Sequence, residues 1–164
     1  MSATIIACMD ATGVIGRKDG VIPWKETVDL SFFKRATMDR DLIVGSTTFR
    51  TLPPLPGRRV HVATRRTDVV MTKADSWGTL DQLLDRLPNA FVAGGGQIYH
   101  QAVDDLRCTS LLLSILPYMA ECGPDQGVSF PDLNWLLLGG WRPIETKQQP
   151  CPRGPITFMR WQRQ

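Results

Sequence analysis

Between residues 91 and 99 the chain reads Phe91-Val92-Ala93-Gly94-Gly95-Gly96-Gln97-Ile98-Tyr99, in which an apolar run meets three successive glycines. The pattern predicts a buried strand over 90–93 and a helix over 97–103. Because glycine has no Cβ atom, a ligand can approach this backbone closely. Open α/β sheets bind ligands at such junctions, where helix N–H groups favour a pyrophosphate. Tight packing of the strand against the helix explains the glycines equally well.

Further apolar runs of strand length alternate with helical segments as far as residue 116. Thr79 and Gln82 form the capping-box pattern that opens a predicted helix over 80–87. Strands over 141–147 and 156–161 predict an antiparallel hairpin. The alternation predicts an α/β fold in a single domain over 1–164, with a mostly parallel central sheet, an antiparallel C-terminal hairpin and flanking helices. The remaining predicted elements are strands over 4–9, 41–45, 58–64, 69–71 and 111–116, and a short helix over 49–52.

The composition is that of an ordinary globular protein: of 164 residues, 43% are hydrophobic and 21% are charged, with a net charge of +3. The basic residues form no dense run, so nucleic-acid binding is not favoured. No apolar run is long enough for a membrane span, and no signal peptide is recognisable. Cys8, Cys108, Cys122 and Cys151 lack metal or redox spacing, so we expect reduced thiols, no metal and a cytoplasmic monomer.

A second informative stretch, residues 22–37, predicts a tight apolar turn followed by a short amphipathic helix. Phe32 and Phe33 share a helical face with Asp29, at spacings of three and four residues. A carboxylate on an apolar face is costly unless something binds it, and a ligand that donates hydrogen bonds is one such partner. The alternative is structural: with Thr27 as the N-cap, Asp29 lies in the first turn, where acidic residues interact favourably with the helix dipole.

Other residues beside the predicted strands also allow two interpretations. Gly45 and the hydroxyl residues 46–48 follow a strand and open a helix, which suits either a phosphate seat or simple helix capping. The polar, glycine-bounded loop 17–20 is typical of a mobile and functional segment. Tyr99 is more typical of a packing residue, although its phenol lies within one turn of the glycines and could face a bound ring.

Several short motifs occur in an order and spacing that is far more specific than any one of them. They are Ile5-Ile6-Ala7, Val14-Ile15-Gly16, Ile22-Pro23-Trp24, Asp29-Leu30 with Phe33-Lys34, Val44-Gly45 with Thr48-Phe49, Leu55-Pro56-Gly57-Arg58, Gly94-Gly95-Gly96 with Ile98-Tyr99, and Phe130-Pro131-Asp132. Together they resemble the dihydrofolate reductase family over nearly the whole chain. The resemblance implies reduction of 7,8-dihydrofolate to 5,6,7,8-tetrahydrofolate by hydride transfer from NADPH, and binding of antifolate inhibitors.

The resemblance also implies a role for each matched residue. Asp29 would bind the pterin 2-amino group and ring N3, Ser114 would hydrogen-bond Asp29, and Arg58 would hold the α-carboxylate of the glutamate tail. A proton must reach pterin N5, with a water near Trp24 as the relay. The catalytic residues implied are Asp29, Trp24, Ile22 and Tyr99. The substrate-binding residues implied are Ile6, Cys8, Asp29, Leu30, Phe33, Leu52, Arg58, Ala93 and Ser114. The cofactor-binding residues implied are Ala7, Ile15, Gly16, Gly20, Gly45, Ser46, Thr47, Thr48, Thr64, Arg65, Arg66, Gly94, Gly95, Gly96, Gln97, Ile98 and Tyr99.

The chain departs from the family pattern at the expected cofactor site. No basic residue stands near Ser46 or Thr47 to meet the cofactor 2′-phosphate, so Arg65 and Arg66 are the candidates. Gln97 replaces the arginine often found after the triple glycine. Both departures predict a reduced margin of NADPH over NADH. The loop resembling the family's mobile flap, over 16–22, is about one residue longer than in the common bacterial pattern.

Two other functions stay open on the sequence. One is a reductase of the same fold that acts on a ribosylated pyrimidine in riboflavin synthesis, which has less need of Asp29 or Arg58. The other is a nucleotide-binding or structural relative without turnover, which the missing 2′-phosphate bases alone favour. The loop over 117–127 and the Pro-rich connection over 148–155 have no close family counterpart.

Overall fold

The structure, a computed structural model, describes residues 2–66, 73–123 and 125–164. Within these ranges the strands are β1 Ala3–Met9, β2 Val14–Arg17, β3 Asp41–Gly45, β4 Arg59–Ala63, β5 Ser76–Gly78, β6 Phe91–Val92, β7 Cys108–Ile115, β8 Gly127–Ser129, β9 Trp141–Gln149 and β10 Ile156–Arg163. The helices are α1 Thr27–Thr37, α2 Ser46–Thr51, α3 Leu80–Arg86, α4 Gly96–Ala102 and α5 Leu133–Leu138.

The main sheet has the strand order β5-β4-β3-β6-β1-β7-β10-β9. Every pairing from β5 across to β7 is parallel, whereas β10 pairs antiparallel with both β7 and β9. The predicted α/β fold, with a mostly parallel sheet and an antiparallel C-terminal hairpin, is therefore confirmed. That residues 1–164 form one domain stays a prediction, supported by strands from both halves of the chain meeting in this sheet.

Side chains of β1 alternate between apolar layers on the two faces of the sheet. Ile5 belongs to the larger layer, where Leu83 of α3 and Tyr99 of α4 pack. Ile6 points the other way, into a smaller layer with Phe32 and Phe33 of α1. A strand covered on both faces reads as a continuous apolar run, which is why β1 could be located from the sequence.

Element boundaries correct the sequence expectations in two places. The prediction of Thr27 as an N-cap is wrong: Glu26 holds that position with extended backbone and without a side-chain cap, so Thr27 is the first helical residue. Helix α2 begins at Ser46, not at residue 49, because the hydroxyl residues after Gly45 already adopt helical backbone. The predicted strand over 69–71 lies outside the described residues.

The capping box predicted for α3 is confirmed, since the Thr79 side chain accepts from the Gln82 N–H and the Gln82 side chain accepts from the Thr79 N–H. Strands β2, β5 and β8 and helix α5 were not expected, since each is too short to show a period in the sequence. Strand β8 begins where the predicted loop over 117–127 ends, and it pairs with β2.

Candidate active site

A cavity of about 1140 Å³ runs along the carboxyl edge of the parallel strands. Strands β1, β3, β4, β6 and β7 each deliver a lining residue where they end, namely Cys8, Gly45, Thr64, Ala93 and Ser114. Residues of α1, α2, α4 and the segment between β2 and α1 complete the walls. Parallel strands bring their carboxyl ends to one edge, and α/β sheets bind ligands there.

Asp29 lines this cavity from the first turn of α1. Burial raises the pKa of its carboxyl above the ordinary value, and the Glu26 carboxylate adds to the rise. Hydrogen bonds from the Ser114 hydroxyl and the Cys8 thiol oppose it. Among the described residues, no lysine, arginine or histidine forms a salt bridge with Asp29. The acid therefore faces the cavity without a cation, which suits a ligand that donates hydrogen bonds.

Cys8 and Trp24 extend the hydrogen bonds around the acid. Burial and the neighbouring Asp29 raise the pKa of the Cys8 thiol, so the thiol stays protonated and donates to the carboxylate. The neighbouring Trp24 side chain partly opposes the rise in the pKa of Cys8. Cys8, Ser114 and Trp24 thus form a polar surrounding for the Asp29 carboxyl within the cavity.

Glu26 is a second carboxylate in the cavity wall, one helical turn before Asp29. The Tyr118 hydroxyl donates a hydrogen bond to its Oε1. Burial, together with this bond, raises the pKa of Tyr118 to about 12. The Arg153 guanidinium carbon lies 3.6 Å from the centre of the Tyr118 ring. Two carboxylates thus line one end of the cavity, and only Glu26 has a tyrosine partner.

Gly94, Gly95 and Gly96 all line the cavity beside the start of α4. Gly94 has a φ of +124°, which L side chains rarely adopt, and a Cβ on Gly96 would lie 2.5 Å from Cγ1 of Val128. Packing therefore requires glycine at position 96. Gly95 holds the N-cap position of α4 without a side-chain cap, so the first amides of that helix remain open to a ligand.

The loop over 16–22 lies against α2 at the edge of the cavity. The Thr51 hydroxyl donates to the Gly20 carbonyl at 3.1 Å. A Cβ on Gly20 would lie 2.9 Å from the Thr47 carbonyl oxygen, and Gly20 has a φ of +90°. On its other side the loop is held by the Lys18 N–H, which donates to the Gln126 carbonyl at 2.9 Å. The loop is therefore clamped between α2 and the segment that leads into β8.

Arg65 and Arg66 line the cavity directly after β4, together with Gln97 of α4. Asp81, at the start of α3, also lines it, and its carboxylate is paired with Arg107 at 2.8 Å. In sheet order β4 lies three strands away from β1, which at about 4.8 Å per strand places this basic end about 14 Å from Cys8.

Every predicted site residue other than Arg58 lies in the cavity wall. The Arg58 guanidinium donates to the Pro56 carbonyl at 3.0 Å and lies 3.5 Å from the Thr37 hydroxyl, which itself donates to the Phe33 carbonyl. Tyr99 reaches the cavity, but its buried hydroxyl donates to the Ile6 carbonyl at 2.7 Å, as expected of a packing residue. Their catalytic and binding roles stay predictions.

Sequence reasoning missed several lining residues. The informative one is Glu26, the N-cap of α1, whose signal was a second carboxylate three residues before Asp29. The others are distributed over all the walls: Arg17, Lys18, Val21, Lys25, Phe32, Leu42, Val44, Thr51, Pro53, Leu55, Ala63, Thr79, Leu80, Asp81, Gln101 and Val128.

Asp10 is a buried carboxylate that joins two of the segments around the site. It accepts hydrogen bonds from the N–H groups of Thr12, Val14 and Ala120 at 2.8, 2.9 and 2.8 Å. Burial would raise the pKa of Asp10, but these donors hold it below its ordinary value. The turn after β1 and the segment after β7 are thereby tied together beneath the cavity rim.

All four cysteines are free thiols. Across the three described ranges, no group of three or more His, Cys, Asp or Glu side chains is placed to hold a metal ion. None of the helices described here is long and apolar enough to cross a bilayer.

The fold and this cavity define a class of α/β protein whose ligand cavity lies at the carboxyl ends of its parallel strands. One end of the cavity is acidic, and a glycine-rich segment at the start of a helix lines it as well. The dihydrofolate reductase family model matches residues 2–163. The chain belongs to the dihydrofolate reductase family.

The relatives differ in how much of this chain they match. The dihydrofolate reductase of Mycobacterium leprae is 40% identical over 106 residues, which are 60% of this chain and 64% of that protein. The type 3 dihydrofolate reductase of Salmonella typhimurium is 33% identical over 155 residues, 92% of this chain and 90% of that protein. The chain thus spans just under two thirds of the mycobacterial relative and most of the Salmonella one.

A solved structure of dihydrofolate reductase from Enterococcus faecalis, complexed with NADP(H) and RAB-propyl, has the same fold. The TM-score is 0.84 at 23% sequence identity, over 99% of this chain and 96% of that one. At that identity the likeness speaks for the fold alone.

Proposed function

We propose that this chain reduces 7,8-dihydrofolate to 5,6,7,8-tetrahydrofolate with NADPH. The observation that carries the proposal is Asp29, a carboxylate that forms no salt bridge with the described residues, at one end of a cavity whose other end is lined by glycines and arginines. A flat heterocycle with adjacent N–H donors matches the first end. A dinucleotide with phosphate groups matches the second.

Asp29 would orient the substrate. Its two oxygens accept hydrogen bonds from the 2-amino group and from N3 of the pterin, while Ser114 and Cys8 hold the carboxylate in place. Ile6, Leu30 and Phe33 supply apolar walls that exclude water and strengthen these contacts. The raised pKa of Asp29 makes its carboxyl easier to protonate than an ordinary aspartate, which would help the site to keep a proton for N5.

The residues at the other end fit NADPH. Helices α2 and α4 both begin after glycine N-caps that provide no side-chain cap, so their first N–H groups can meet a pyrophosphate. Arg65 and Arg66 are the cations that would meet the 2′-phosphate. When bound, NADPH supplies the hydride that reduces the substrate. The loop over 16–22, already in contact with α2, would shield the nicotinamide from water.

Arg58 is proposed to hold the α-carboxylate of the substrate's glutamate tail. Arg58 is not in the cavity wall, but its backbone N–H donates to the carbonyl of Leu55, which lines the cavity. Its guanidinium lies near Thr37, one helical turn after Phe33, which also lines the cavity. Turning a long side chain away from the Pro56 carbonyl is inexpensive, because an exposed hydrogen bond contributes little. The proposal for Arg58 thus requires a change of rotamer when substrate binds.

The decisive experiment follows the loss of NADPH absorbance with dihydrofolate as the only acceptor. We expect multiple turnovers, and folded protein without turnover would contradict the proposal. The ribosylated pyrimidine of riboflavin synthesis, offered as the only acceptor, is the control substrate. Turnover with that pyrimidine but not with dihydrofolate would assign the chain to the alternative reductase.

We also propose that the enzyme acts as a cytoplasmic monomer that binds antifolates. The four free thiols suit a reducing compartment. Antifolates with a protonated diaminopyrimidine ring suit the uncompensated carboxylate of Asp29. Light scattering of the purified protein tests the oligomeric state, and a mass near twice 18.3 kDa would contradict a monomer.

A further inference from the structure

The two segments without a close family counterpart meet beside Asp29. In the hairpin connection, Arg153 lies over the ring of Tyr118, 3.6 Å from its centre. A Cβ on Gly154 would lie 3.0 Å from Cγ of Pro117, so the two loops are in close contact. The Tyr118 carbonyl accepts from the Ala11 N–H at 2.9 Å, which anchors this contact to the turn after β1.

Tyr118 brings these loops to the active site through one hydrogen bond. Its hydroxyl donates to Glu26, whose carboxylate lines the cavity one helical turn before Asp29. Glu26 is half-buried and has non-helical backbone, so its position depends on such a contact. The bond fixes a second negative charge next to the acid proposed to bind the substrate.

We propose that Glu26, held by Tyr118, is a positioning residue that keeps a proton at the Asp29 end of the cavity, and so extends fast reduction to higher pH. The inference rests on the proposed function, because it assigns the pH range of that same reaction. Two neighbouring carboxylates resist being ionised together, so one of them retains a proton at a pH where a lone carboxylate would lose it.

The charged and titratable groups around Glu26 and Asp29 do not cancel the repulsion between these two carboxylates. Cys8 approaches from β1 and Tyr99 from α4, and burial together with the neighbouring Asp29 raises the pKa of each, so both stay neutral. Tyr118 is neutral as well, and the Arg153 guanidinium lies over its ring. Among the described residues, Lys25 adjoins Glu26 in the sequence, and its side chain is exposed. The Glu26 carboxylate is among the causes that raise the pKa of Asp29.

The test compares Glu26→Gln with the wild type. Glutamine keeps an oxygen for the Tyr118 hydroxyl but removes the charge. We expect the pH profile of single-turnover hydride transfer to move to lower pH, with the low-pH plateau unchanged. At a pH above the wild-type midpoint, the rate falls about three- to tenfold, the effect of removing one screened like charge. Glu121→Gln, at an exposed carboxylate outside the cavity wall, is the matched control and leaves the profile in place.

A second measurement separates this inference from the function itself. In the free protein, ¹³C NMR follows the Asp29 carboxyl, assigned with Asp29→Asn, and its titration also moves to lower pH in Glu26→Gln. Absence of wild-type turnover would remove the proposed function, while the carboxyl titration still decides the role of Glu26. Coincident titrations in Glu26→Gln and the wild type would overturn the inference.

Tyr118→Phe tests the holding contact. It keeps the ring under Arg153 but releases the Glu26 carboxylate, so we expect a smaller movement in the same direction as in Glu26→Gln. A titration of Asp29 identical to that of the wild type would show that Tyr118 does not position Glu26.

Discussion

The sequence alone offers Asp29 as a candidate ligand-binding acid, because it places a carboxylate on a helical face with two phenylalanines, although a helix-dipole role explains the same pattern. That Asp29 binds a ligand stays a prediction. The structure adds what a linear pattern cannot show: Cys8 and Ser114 come from strands β1 and β7, which lie side by side only in the folded sheet. For Arg58 the sequence motif predicted a binding residue, but it could not show the direction of the side chain. In the structure the guanidinium donates to the Pro56 carbonyl, and Arg58 is not part of the cavity wall.

Replacing Asp29 with asparagine should separate cofactor binding from chemistry. Asparagine offers one acceptor oxygen and no charge, so it cannot bind both N–H groups of the pterin or retain the proton. We expect the NADPH dissociation constant to stay within about twofold, while single-turnover hydride transfer at neutral pH falls by about 10²–10⁴, the usual contribution of acid–base groups. A wild-type rate in the variant would exclude a catalytic role for Asp29.

The same substitution should stabilise the fold. Because the pKa of Asp29 is raised in the folded state, the native protein binds more protons than the unfolded chain between the ordinary and the raised value. The free energy of unfolding therefore falls as pH rises through that window. In Asp29→Asn this loss is absent, so we expect its Tm at pH 8 to exceed that of the wild type by about 2–4 °C, or about 1 kcal/mol.

Calorimetry at several pH values checks the sign of this effect. The difference in Tm should shrink to near zero below the ordinary range of a carboxyl pKa, where Asp29 is neutral in both the folded and the unfolded state. A variant that is less stable than the wild type at pH 8 would mean that the Asp29 charge is compensated in solution.

Among the elements, long buried strands were predictable and short ones were not. Strand β3 (Asp41–Gly45) matches its expected bounds because its central residues, Leu42, Ile43 and Val44, form a buried apolar run between a charged residue and a glycine. Strand β8 has only three residues and owes its conformation to pairing with β2, a contact 110 residues away in the chain. Its residue Val128 is also what makes glycine necessary at position 96, so that requirement was invisible in the sequence.

The two explanations of the glycine stretch can be separated with Gly96→Ala. The added Cβ meets Cγ1 of Val128 at 2.5 Å, so we expect a loss of about 1–3 kcal/mol in the free energy of unfolding. Val128→Ala in the same chain removes that methyl group and should restore stability, as measured by urea denaturation. NADPH affinity should stay weakened about tenfold in the double variant, since a Cβ still stands where the pyrophosphate approaches.

Recovery of both stability and affinity in the double variant would show that packing against β8 is the whole reason for Gly96. Val128→Ala alone is the matched control, because it measures the cost of the missing methyl groups without any change in the glycine stretch.

On the scale of the whole molecule, the sheet order separates two opposite charge environments along one cavity. Carboxylates Glu26 and Asp29 lie where β1 and β7 end, and Arg65 and Arg66 follow β4, three strands further along. Asp81 lies in the same cavity wall as the arginines, and its carboxylate is paired with Arg107, which also pairs with Asp85 and Asp105. Under the proposed function, this arrangement would place the pterin ring of the substrate at the β1 end and the phosphates of the dinucleotide at the β4 end.

Cofactor preference tests this charge arrangement. A 2′-phosphate that meets an exposed arginine gains a charge-assisted hydrogen bond, which NADH cannot form. We expect Arg65→Ala to weaken NADPH binding about tenfold, or about 1.4 kcal/mol, and NADH binding less than twofold. The NADPH loss should diminish at high salt, because the contact is exposed and screened. Fluorescence titration with both cofactors at low and high ionic strength measures these effects. Equal losses for the two cofactors would show that Arg65 does not contact the 2′-phosphate and would leave Arg66 as the residue to change next.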